Sequence, residues 1–344
     1  MDASEPLRGL RIAVTGASGF VGSRAARALF ALGAEVHGFG RRALAPEALP
    51  GIRYRRWDIA EGPLADAPAV DLVVHCAGTV TDWGTREAFA PCHVDGTKNV
   101  LVSFPEPSPI VHVSTASVYD PFVSKSYVTE DTPLPTRYLN AYAETKAEAE
   151  RIVRARTRSI VLRPHAIYGP GDEILLPRIL EAHRLGTLLA VGDGTNRISL
   201  THVDNLVDAI VLACRKLARG GEGGTYNVAD AEPVVLDQAL RAVLRATGLR
   251  ERILYVPRPV GWNVGHVLET VFAAANAPRA PRLTRYIVEQ LASEYTLSLE
   301  KAKNELGYAP TRTLFDFLAS GAVERPRTRR TQSDSYAGNS TLRP

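Results

Sequence analysis

Two polar runs combine residue types that could exchange a proton with a carbonyl or an alcohol. Tyr142 and Lys146 stand four residues apart in YAETK, which opens a predicted helix. Residues at this spacing share a helical face, so the ammonium can lie beside the phenol and stabilise its phenolate. Without such help a phenol, whose ordinary pKa is about 10, is a poor acid–base catalyst at neutral pH. A hydroxyl from STASVY at 114–119, after a predicted strand, would hold the substrate oxygen. Taken alone, the Tyr-Lys spacing also fits an ordinary exposed helix.

A glycine-rich turn, TGASGFVG at 15–22, lies between an apolar strand and a helix near the start of the chain. Glycines allow a sharp turn and close approach of the backbone, and the helix N-terminus presents N–H groups and partial positive charge to a pyrophosphate. The position of this turn, directly after the first strand, favours a dinucleotide site over a simple tight turn. An oxidised nicotinamide bound there would further stabilise the phenolate of Tyr142.

The end of the second predicted strand indicates which dinucleotide is preferred. Gly40 stands where an acid would bind the ribose of NAD, and Arg41 and Arg42 follow it. Two guanidinium groups without a carboxylate favour a 2′-phosphate, so we expect NADP(H) to be preferred, with NAD(H) also accepted. A solvated arginine pair is the alternative. Asp58, which ends the third strand, is placed to bind the adenine amino group or to cap a helix.

The elements around these residues predict an α/β fold. The segment 10–42 reads as strand, turn, helix and strand, and further buried strands are predicted at 51–57, 71–75, 110–113 and 159–162. This alternation with helices predicts a Rossmann-type, doubly wound parallel sheet. Beyond it, the sequence pattern predicts helices over 175–186, 203–217 and 236–247, a strand at 224–230, and a helical region over 253–292.

The pattern divides the chain into two lobes. We expect a dinucleotide-binding domain over 1–164, to which 196–230 return, and a smaller, mostly helical C-terminal substrate lobe over 165–195 and 231–324. The apolar stretch from Trp262 to Ala275 would suit a hydrophobic substrate or pack as ordinary core. Residues 325–344 are polar and are expected to be disordered.

Together these motifs resemble the extended short-chain dehydrogenase/reductase family, within the NAD-dependent epimerase/dehydratase superfamily, and the resemblance spans nearly the whole chain before residue 325. Its further marks are HCAG at 75–78, VDGTKNVL at 94–101, LRPHAIYGPGD at 162–172, VGDGTNR at 191–197, THVDN at 201–205 and YNVAD at 226–230. The resemblance implies hydride transfer with a nicotinamide cofactor. It also implies a homodimer built from the helices that carry VDGTKNVL and YAETK.

The resemblance assigns three catalytic roles. Thr115, three residues before the Val-Tyr pair, aligns with the hydroxyl that binds the substrate oxygen, and Ser114 is the fallback. Tyr142 would donate or accept the proton. Lys146 would lower the pKa of Tyr142 and bind the nicotinamide ribose.

The resemblance also places the cofactor along the carboxyl edge of the sheet. The pyrophosphate would contact Gly16, Ser18, Gly19, Phe20, Val21 and Gly22. The adenine would contact Asp58 and Ile59, its ribose Ala77 and Gly78, and the nicotinamide His165 and Ile167. His93 departs from the family pattern, because many relatives have Asn there. We expect it to make a structural hydrogen bond, with a catalytic base as the alternative.

Three functions compete. DWG at 82–84, STASV and PRLTRYIVEQLA at 281–292 resemble the branch of 3β-hydroxysteroid dehydrogenases and 3-ketoacid reductases, which implies a ketone or secondary alcohol as substrate. A nucleotide-sugar epimerase or 4-ketoreductase would use the same site, with Arg197 binding a diphosphate. A sugar dehydratase is disfavoured because Ala116 and Ser117 stand where it needs acids. A cofactor-sensing protein would not need the Thr-Tyr-Lys set.

Composition excludes several other classes. The chain has 344 residues and a formal net charge of +4, and the positive excess lies in residues 325–344, so nucleic-acid binding is not expected. The cysteines Cys76, Cys92 and Cys214 are far apart, which predicts neither disulfides nor a metal site and fits a reducing cytoplasm. No segment is apolar enough to predict a membrane span or a leader.

Overall fold

The computed structural model describes residues 7–43, 48–123, 125–275, 277 and 279–323. Its strands, in chain order, are β1 (Arg11–Thr15), β2 (Glu35–Gly40), β3 (Arg53–Arg56), β4 (Leu72–His75), β5 (Ile110–Val113), β6 (Lys125–Val128), β7 (Ser159–Pro164), β8 (Ile167–Tyr168), β9 (His183–Arg184), β10 (Thr187–Val191), β11 (Arg197–Ile198), β12 (Thr201–His202), β13 (Gly224–Val228), β14 (Val234–Val235), β15 (Ile253–Val256) and β16 (Tyr295–Leu297). Its α-helices are α1 (Phe20–Ala31), α2 (Arg86–Ala90), α3 (Gly96–Ser103), α4 (Ala141–Arg154), α5 (Leu175–Ala182), α6 (Val203–Ala218), α7 (Leu236–Ala246), α8 (Arg258–Ala274), α9 (Arg285–Ala292), α10 (Glu300–Leu306) and α11 (Leu314–Ala319). A π-helix spans Pro91–Asp95, and 3₁₀ helices span Ile59–Glu61 and Ala116–Val118.

Within the described residues, a seven-stranded sheet in the order β3-β2-β1-β4-β5-β7-β13 forms the centre. Every neighbouring pair in it is parallel. The chain order reverses between β1 and β4, and the crevice beyond the carboxyl ends of such strands is where open α/β sheets bind ligands. The predicted Rossmann-type fold is therefore confirmed.

The apolar runs of the sequence account for the position of these strands. β4 and β7 are buried along their whole length, and β1 and β5 along all but one residue. Strands covered on both faces carry continuous rather than alternating apolar residues. On α1, the buried residues Gly22, Ala25, Ala26 and Leu29 lie on one face, and the small side chains allow the helix to pack closely on the sheet.

Smaller sheets lie outside the centre. Strands β15, β10 and β9 form one, β14, β11, β16 and β6 form another, and β12 pairs with β8. Within the segment predicted to return to the first domain, β13 joins the central sheet, whereas β11 and β12 pair elsewhere. The division into two domains stays a prediction, and the predicted disordered tail at 325–344 lies outside the described residues.

Two predicted helical regions differ from the structure. The helix predicted over 175–186 ends at Ala182, because Leu185 and Gly186 have φ of +48° and +77° and form the turn of a hairpin between β9 and β10. The region predicted as helical over 253–292 begins with a strand, β15, which pairs in parallel with β10 through its β-branched and aromatic residues. Helices α8 and α9 occupy the rest.

Candidate active site

The glycine-rich turn forms a cradle in which side chains would not fit. Gly16 has φ of +70°, and a Cβ there would lie 2.7 Å from the backbone nitrogen of Ala77. A Cβ on Gly22 would overlap the carbonyl oxygen of Gly16. Gly19 caps α1 without a side-chain hydrogen bond, and the first turn of that helix has no acid. Neither a capping side chain nor an acid therefore competes with a pyrophosphate for the N–H groups at the start of α1.

The end of β2 packs closely against the glycine-rich turn, beside the arginine pair predicted to select the cofactor. A Cβ on Gly40 would lie 2.5 Å from the Ser18 hydroxyl, so the glycine lets the turn approach this strand. Arg41 and Arg42 are exposed, and their carbonyl oxygens accept hydrogen bonds from Arg56 and Tyr54. Arg56 on β3 thus adds a third cation beside the predicted pair, which the sequence analysis missed.

Asp58 and Ile59 lie at the carboxyl end of β3. The Asp58 side chain accepts a hydrogen bond of 3.0 Å from the N–H of Ala60, so it caps a 3₁₀ helix, as one of the two predictions for it stated. The Ile59 side chain is buried against Gly96, and its carbonyl accepts from Asn99. The structure thus holds the Ile59 backbone at the sheet edge, while the Ile59 side chain packs in the core.

A chain of buried hydrogen bonds holds the loop after β4, which carries Ala77 and Gly78. Thr15 Oγ1 accepts from the N–H of Ala77 at 3.3 Å and lies 2.7 Å from His75 Nδ1. His75 Nε2 lies 3.0 Å from Thr97 Oγ1, which donates to the His93 carbonyl at 2.6 Å. Since Thr97 uses its proton on that carbonyl, His75 donates through Nε2 and accepts from Thr15. Burial and the positive charge of Lys146 lower the pKa of His75 to about 3, which keeps the ring neutral.

The catalytic pair lies at the start of α4. Asn140 caps this helix by accepting from the N–H of Ala143 at 2.9 Å, and Tyr142 and Lys146 follow on one face. The Lys146 ammonium is buried and donates to the carbonyl of Val113, at the end of β5, at 2.8 Å. Burial lowers the pKa of Lys146 to about 8, although the acidic groups of Cys92 and Glu150 act in the opposite direction.

The protein groups around Tyr142 raise its pKa, and the predicted effect of Lys146 on Tyr142 stays a prediction. Burial raises the pKa of Tyr142 to about 12, with the Thr115 hydroxyl acting against this shift and Asp82 adding to it. The Lys146 ammonium, with a pKa of about 8, has already lost its charge at the pH where Tyr142 would ionise. Tyr142 is therefore protonated at neutral pH, as a proton donor must be.

The two hydroxyls considered for substrate binding lie in different surroundings. Ser114 donates to the buried carboxylate of Glu150 at 3.0 Å, and Glu150 forms a buried ion pair with Arg163. Thr115 instead lies beside Tyr142 and donates to Ser117 Oγ at 3.0 Å. Of the two, only Thr115 is placed next to the phenol, whereas Ser114 helps to fasten α4 to β7.

Ser117 and Tyr286 extend this group of hydroxyls. Ser117 Oγ lies 2.7 Å from the hydroxyl of Tyr286, which α9 contributes. Burial raises the pKa of Tyr286, and Tyr142 and Asp82 raise it further. Sequence reasoning gave neither residue a role of its own: Ser117 was one of the hydroxyls of STASVY, and Tyr286 lay in a segment that only marked the resemblance.

An ion pair lies above the same hydroxyls. Asp82, in the loop after β4, accepts two hydrogen bonds from the guanidinium of Arg178 on α5, at 3.1 and 3.2 Å. Thr284, which caps α9 by accepting from Ile287, lies 3.4 Å from the same carboxylate. The pair and Thr284 thereby connect the loop after β4 to the helices α5 and α9.

Hydrogen bonds occupy both ring nitrogens of His93. Thr145 Oγ1 donates to the carbonyl of Ala141, so it accepts from His93 Nδ1 at 2.8 Å, and His93 Nε2 accepts from the N–H of Thr79 at 3.1 Å. The ring is 2% exposed and stacks on Phe89. Burial and Lys146 lower its pKa to about 3, so a structural role is favoured over a catalytic base.

His165 and Ile167 follow β7 at the predicted nicotinamide end. The His165 ring stacks on Tyr295 at 4.0 Å, and its nitrogens contact Ser199 and Gln290, so its side chain packs against β16, α9 and the residue after β11. Ala166 between them has φ of +44°, a left-handed conformation that is unfavourable for a residue with a side chain. Ile167 is partly buried in β8.

The remaining predictions concern Arg197, the cysteines, metal binding and membrane spans. Arg197 lies on β11, where its guanidinium faces the ring of Tyr127. In the part of the chain that the structure describes, no cluster of His, Cys, Asp and Glu could hold a metal ion, and the cysteines are free thiols. Nor does any described helix have the length and apolarity needed to cross a membrane.

Comparisons with known proteins agree with this geometry. Residues 12–229 match the model of the NAD dependent epimerase/dehydratase family. A 2-alkyl-3-oxoalkanoate reductase of Shewanella oneidensis is 33% identical over 315 residues, which cover 86% of this chain and 81% of that protein. A 3 beta-hydroxysteroid dehydrogenase/Delta 5→4-isomerase of Mycobacterium tuberculosis is 29% identical, with coverage of 87% and 86%. The solved structure of MoeE5 in complex with UDP-glucose and NAD superimposes with a TM-score of 0.69 at 24% identity, covering 91% of this chain and 97% of that one.

Proposed function

Because the chain belongs to the NAD dependent epimerase/dehydratase family and is an NAD(P)-dependent oxidoreductase, we propose that it transfers hydride between NADP(H) and a ketone or secondary alcohol on a hydrophobic substrate such as a 3-oxo acid. The observation that carries this proposal is the hydroxyl of Thr115 beside the protonated phenol of Tyr142, on the helix that also carries the buried ammonium of Lys146. The sequence similarity to a 2-alkyl-3-oxoalkanoate reductase supports the choice of substrate.

The residues present fit a nicotinamide dinucleotide. Gly16 and Gly22 let the turn pack tightly at the start of α1, where the helix N-terminus would hold a pyrophosphate, and the loop with Ala77 and Gly78 is held against this turn. A bound, reduced nicotinamide supplies the hydride that adds to the carbonyl carbon. Lys146 donates one of its ammonium hydrogens to the carbonyl of Val113. The others remain for the ribose hydroxyls.

The chain's own groups handle the proton. During reduction the carbonyl oxygen gains negative charge, Thr115 donates a hydrogen bond to it, and Tyr142 transfers its phenolic proton to it. The secondary alcohol leaves, and the Tyr142 phenolate takes a proton back from solvent. Since burial raises the pKa of Tyr142 to about 12, the donor form dominates across the neutral range.

We propose that NADP(H) is preferred because of the basic end of β2 and β3. Arg41, Arg42 and Arg56 lie there, and Gly40 provides no carboxylate to hold the 2′-hydroxyl of NAD. Guanidinium groups form paired hydrogen bonds with phosphate, so they favour the phosphorylated ribose.

Elimination of water from a sugar is not supported. Ala116 is fully buried, and the Ser117 hydroxyl is paired with Tyr286, so neither position supplies an acid near Thr115. Epimerisation of a nucleotide sugar would use the same catalytic groups, so the experiment must distinguish it from net reduction of a ketone.

The homodimer through α3 and α4 stays a prediction, which light scattering on the purified protein would test.

The experiment follows the loss of reduced-nicotinamide absorbance with NADPH or NADH, against hydrophobic ketones, 3-ketoacids and nucleotide 4-ketosugars. We expect turnover of the first two groups, with NADPH preferred. Tyr142→Phe should lower kcat by about 10²- to 10⁴-fold, the usual contribution of a general acid. Tyr127→Phe, an exposed tyrosine outside the site, is the matched control. Turnover of ketosugars alone would move the protein to the sugar branch, and a Tyr142→Phe enzyme with most of its activity would refute the assignment.

A further inference from the structure

The hydroxyls beside the proton donor form a row that continues past the position of the substrate ketone. The row runs from Tyr142 through Thr115 to Ser117, 3.0 Å further, and to Tyr286, another 2.7 Å away. Thr115 and Ser117 come from the 3₁₀ turn after β5, and Tyr286 comes from α9 in the other lobe. One ketone oxygen needs only Tyr142 and Thr115, which leaves two hydroxyls without a part in the reaction.

Counting protons shows what these two hydroxyls can do. Thr115, Ser117 and Tyr286 carry one hydroxyl proton each, and two are used within the row, between Thr115 and Ser117 and between Ser117 and Tyr286. When Thr115 turns its proton to the ketone oxygen, the bond between Ser117 and Tyr286 still uses one. The remaining proton, on Ser117 or Tyr286, is free to bind a second oxygen.

The spacing of the row limits where that second oxygen sits. In a 1,3-dicarbonyl compound the two oxygens lie about 3 Å apart when both C=O bonds point the same way, as ordinary bond lengths require. This matches the separation between the hydroxyls of Thr115 and Ser117. A second oxygen more distant from the ketone would lie too far along the substrate to reach Ser117. A ketone without a second oxygen would make no hydrogen bond with Ser117 or Tyr286.

The hydroxyls of the row are uncharged, and the two charged side chains beside them form an ion pair. Asp82 and Arg178 pair with each other nearby, so their charges largely cancel. Tyr286 acts as a neutral donor, since Asp82 and the surrounding burial both disfavour its phenolate. Neutral hydroxyls can bind either a carboxylate or the carbonyl of an ester, and Arg178 remains close enough to offset the charge of the former.

Resting on the proposed function, we propose that Ser117 and Tyr286 form a subsite for the second oxygen of a 1,3-dicarbonyl substrate, a 3-oxo acid or its ester. The subsite exists only when α9 is docked against the turn after β5, so both lobes contribute to recognition. Thr284, which caps α9 and contacts Asp82, holds Tyr286 at this place.

The test compares substrates that differ only in the second oxygen-bearing group. Purified full-length enzyme is assayed with NADPH and 3-oxodecanoate, its methyl ester, or 2-nonanone, which has the same alkyl chain and ketone but no carboxyl group. We expect Ser117→Ala and Tyr286→Phe each to lower the ratio of kcat/KM for 3-oxodecanoate to that for 2-nonanone by about tenfold, the effect of one lost hydrogen bond. Tyr127→Phe should leave the ratio as in the wild type.

Each outcome of this comparison either supports or refutes the subsite at Ser117 and Tyr286. A fall in the ratio for the acid and the ester alike identifies a neutral oxygen subsite, and a fall for the acid alone assigns recognition to the carboxylate. If both variants lose activity equally on 2-nonanone and 3-oxodecanoate, Ser117 and Tyr286 only position Thr115 and the subsite is refuted. If the wild type reduces none of the three compounds, the proposed function itself fails, which is a separate result.

Discussion

Lys146 should make the stability of this fold rise with pH in a window where most lysines have no effect. Burial lowers its pKa from 10.5 to about 8. Below pH 8 both the folded and the unfolded chain hold this proton, and the folded state carries the full cost of the buried charge. Between about pH 8 and 10.5 the folded protein releases the proton while the unfolded chain keeps it, so the cost is progressively relieved.

The magnitude follows from the two pKa values. One unit of difference corresponds to about 1.4 kcal/mol, so moving from about pH 7 to about pH 9.5 should add about 2 kcal/mol to the free energy of unfolding through Lys146 alone. Lys146→Met removes this contribution. The variant also loses the hydrogen bond to the Val113 carbonyl, but that loss is the same at both pH values and cancels in the comparison.

Urea unfolding of the wild type and Lys146→Met, at both pH values, measures the difference. Lys98→Met, at an exposed lysine of α3, is the control and should follow the wild type. Other groups titrate in all three proteins and cancel as well. If wild type and Lys146→Met change equally between the two pH values, the charge of Lys146 is compensated in the fold and the reasoning is refuted.

Three further substitutions test other parts of the structure. Gly16→Ala should weaken NADPH binding at least about tenfold, because its Cβ would meet the backbone of Ala77, whereas Gly9→Ala, with a similar positive φ but open space, should bind normally in a fluorescence titration. Arg163→Met should lower the free energy of unfolding by about 3–5 kcal/mol by leaving the carboxylate of Glu150 buried and unpaired, and the double variant with Glu150→Met should recover much of that loss in urea unfolding. Arg41→Ala should raise the KM for NADPH about fivefold more than that for NADH, an exposed charged contact being worth about 1 kcal/mol, and equal losses would refute the 2′-phosphate assignment.

Local patterns were enough to predict the scaffold of the site. The turn at Gly16, the helix that follows it and the start of α4 each depend on residues close together in the chain, such as the cap at Asn140. Continuous apolar runs likewise predicted the buried strands of the central sheet. These signals are local, so a single sequence contains them.

Contacts between distant segments could not be predicted in this way. Ser117 and Tyr286 are 169 residues apart, and Asp82 and Arg178 are 96 apart, so no periodicity connects them. The hydrogen bond from Lys146 to the carbonyl of Val113 was missed for a related reason. Its spacing from Tyr142 indicates a shared helical face, but the direction of its ammonium depends on where β5 places the carbonyl of Val113.

The π-helix at Pro91–Asp95 makes the length of this segment as important as its composition. Such a turn holds an extra residue compared with an α-helix, and His93 lies within it. Deleting one residue would restore the α-helical register and rotate the following side chains by about 100°. His93 would then release the backbone of Thr79 and the helix carrying Tyr142, although every catalytic side chain was still present. A gap of one residue here would therefore change how the active-site loop is supported without removing a catalytic side chain.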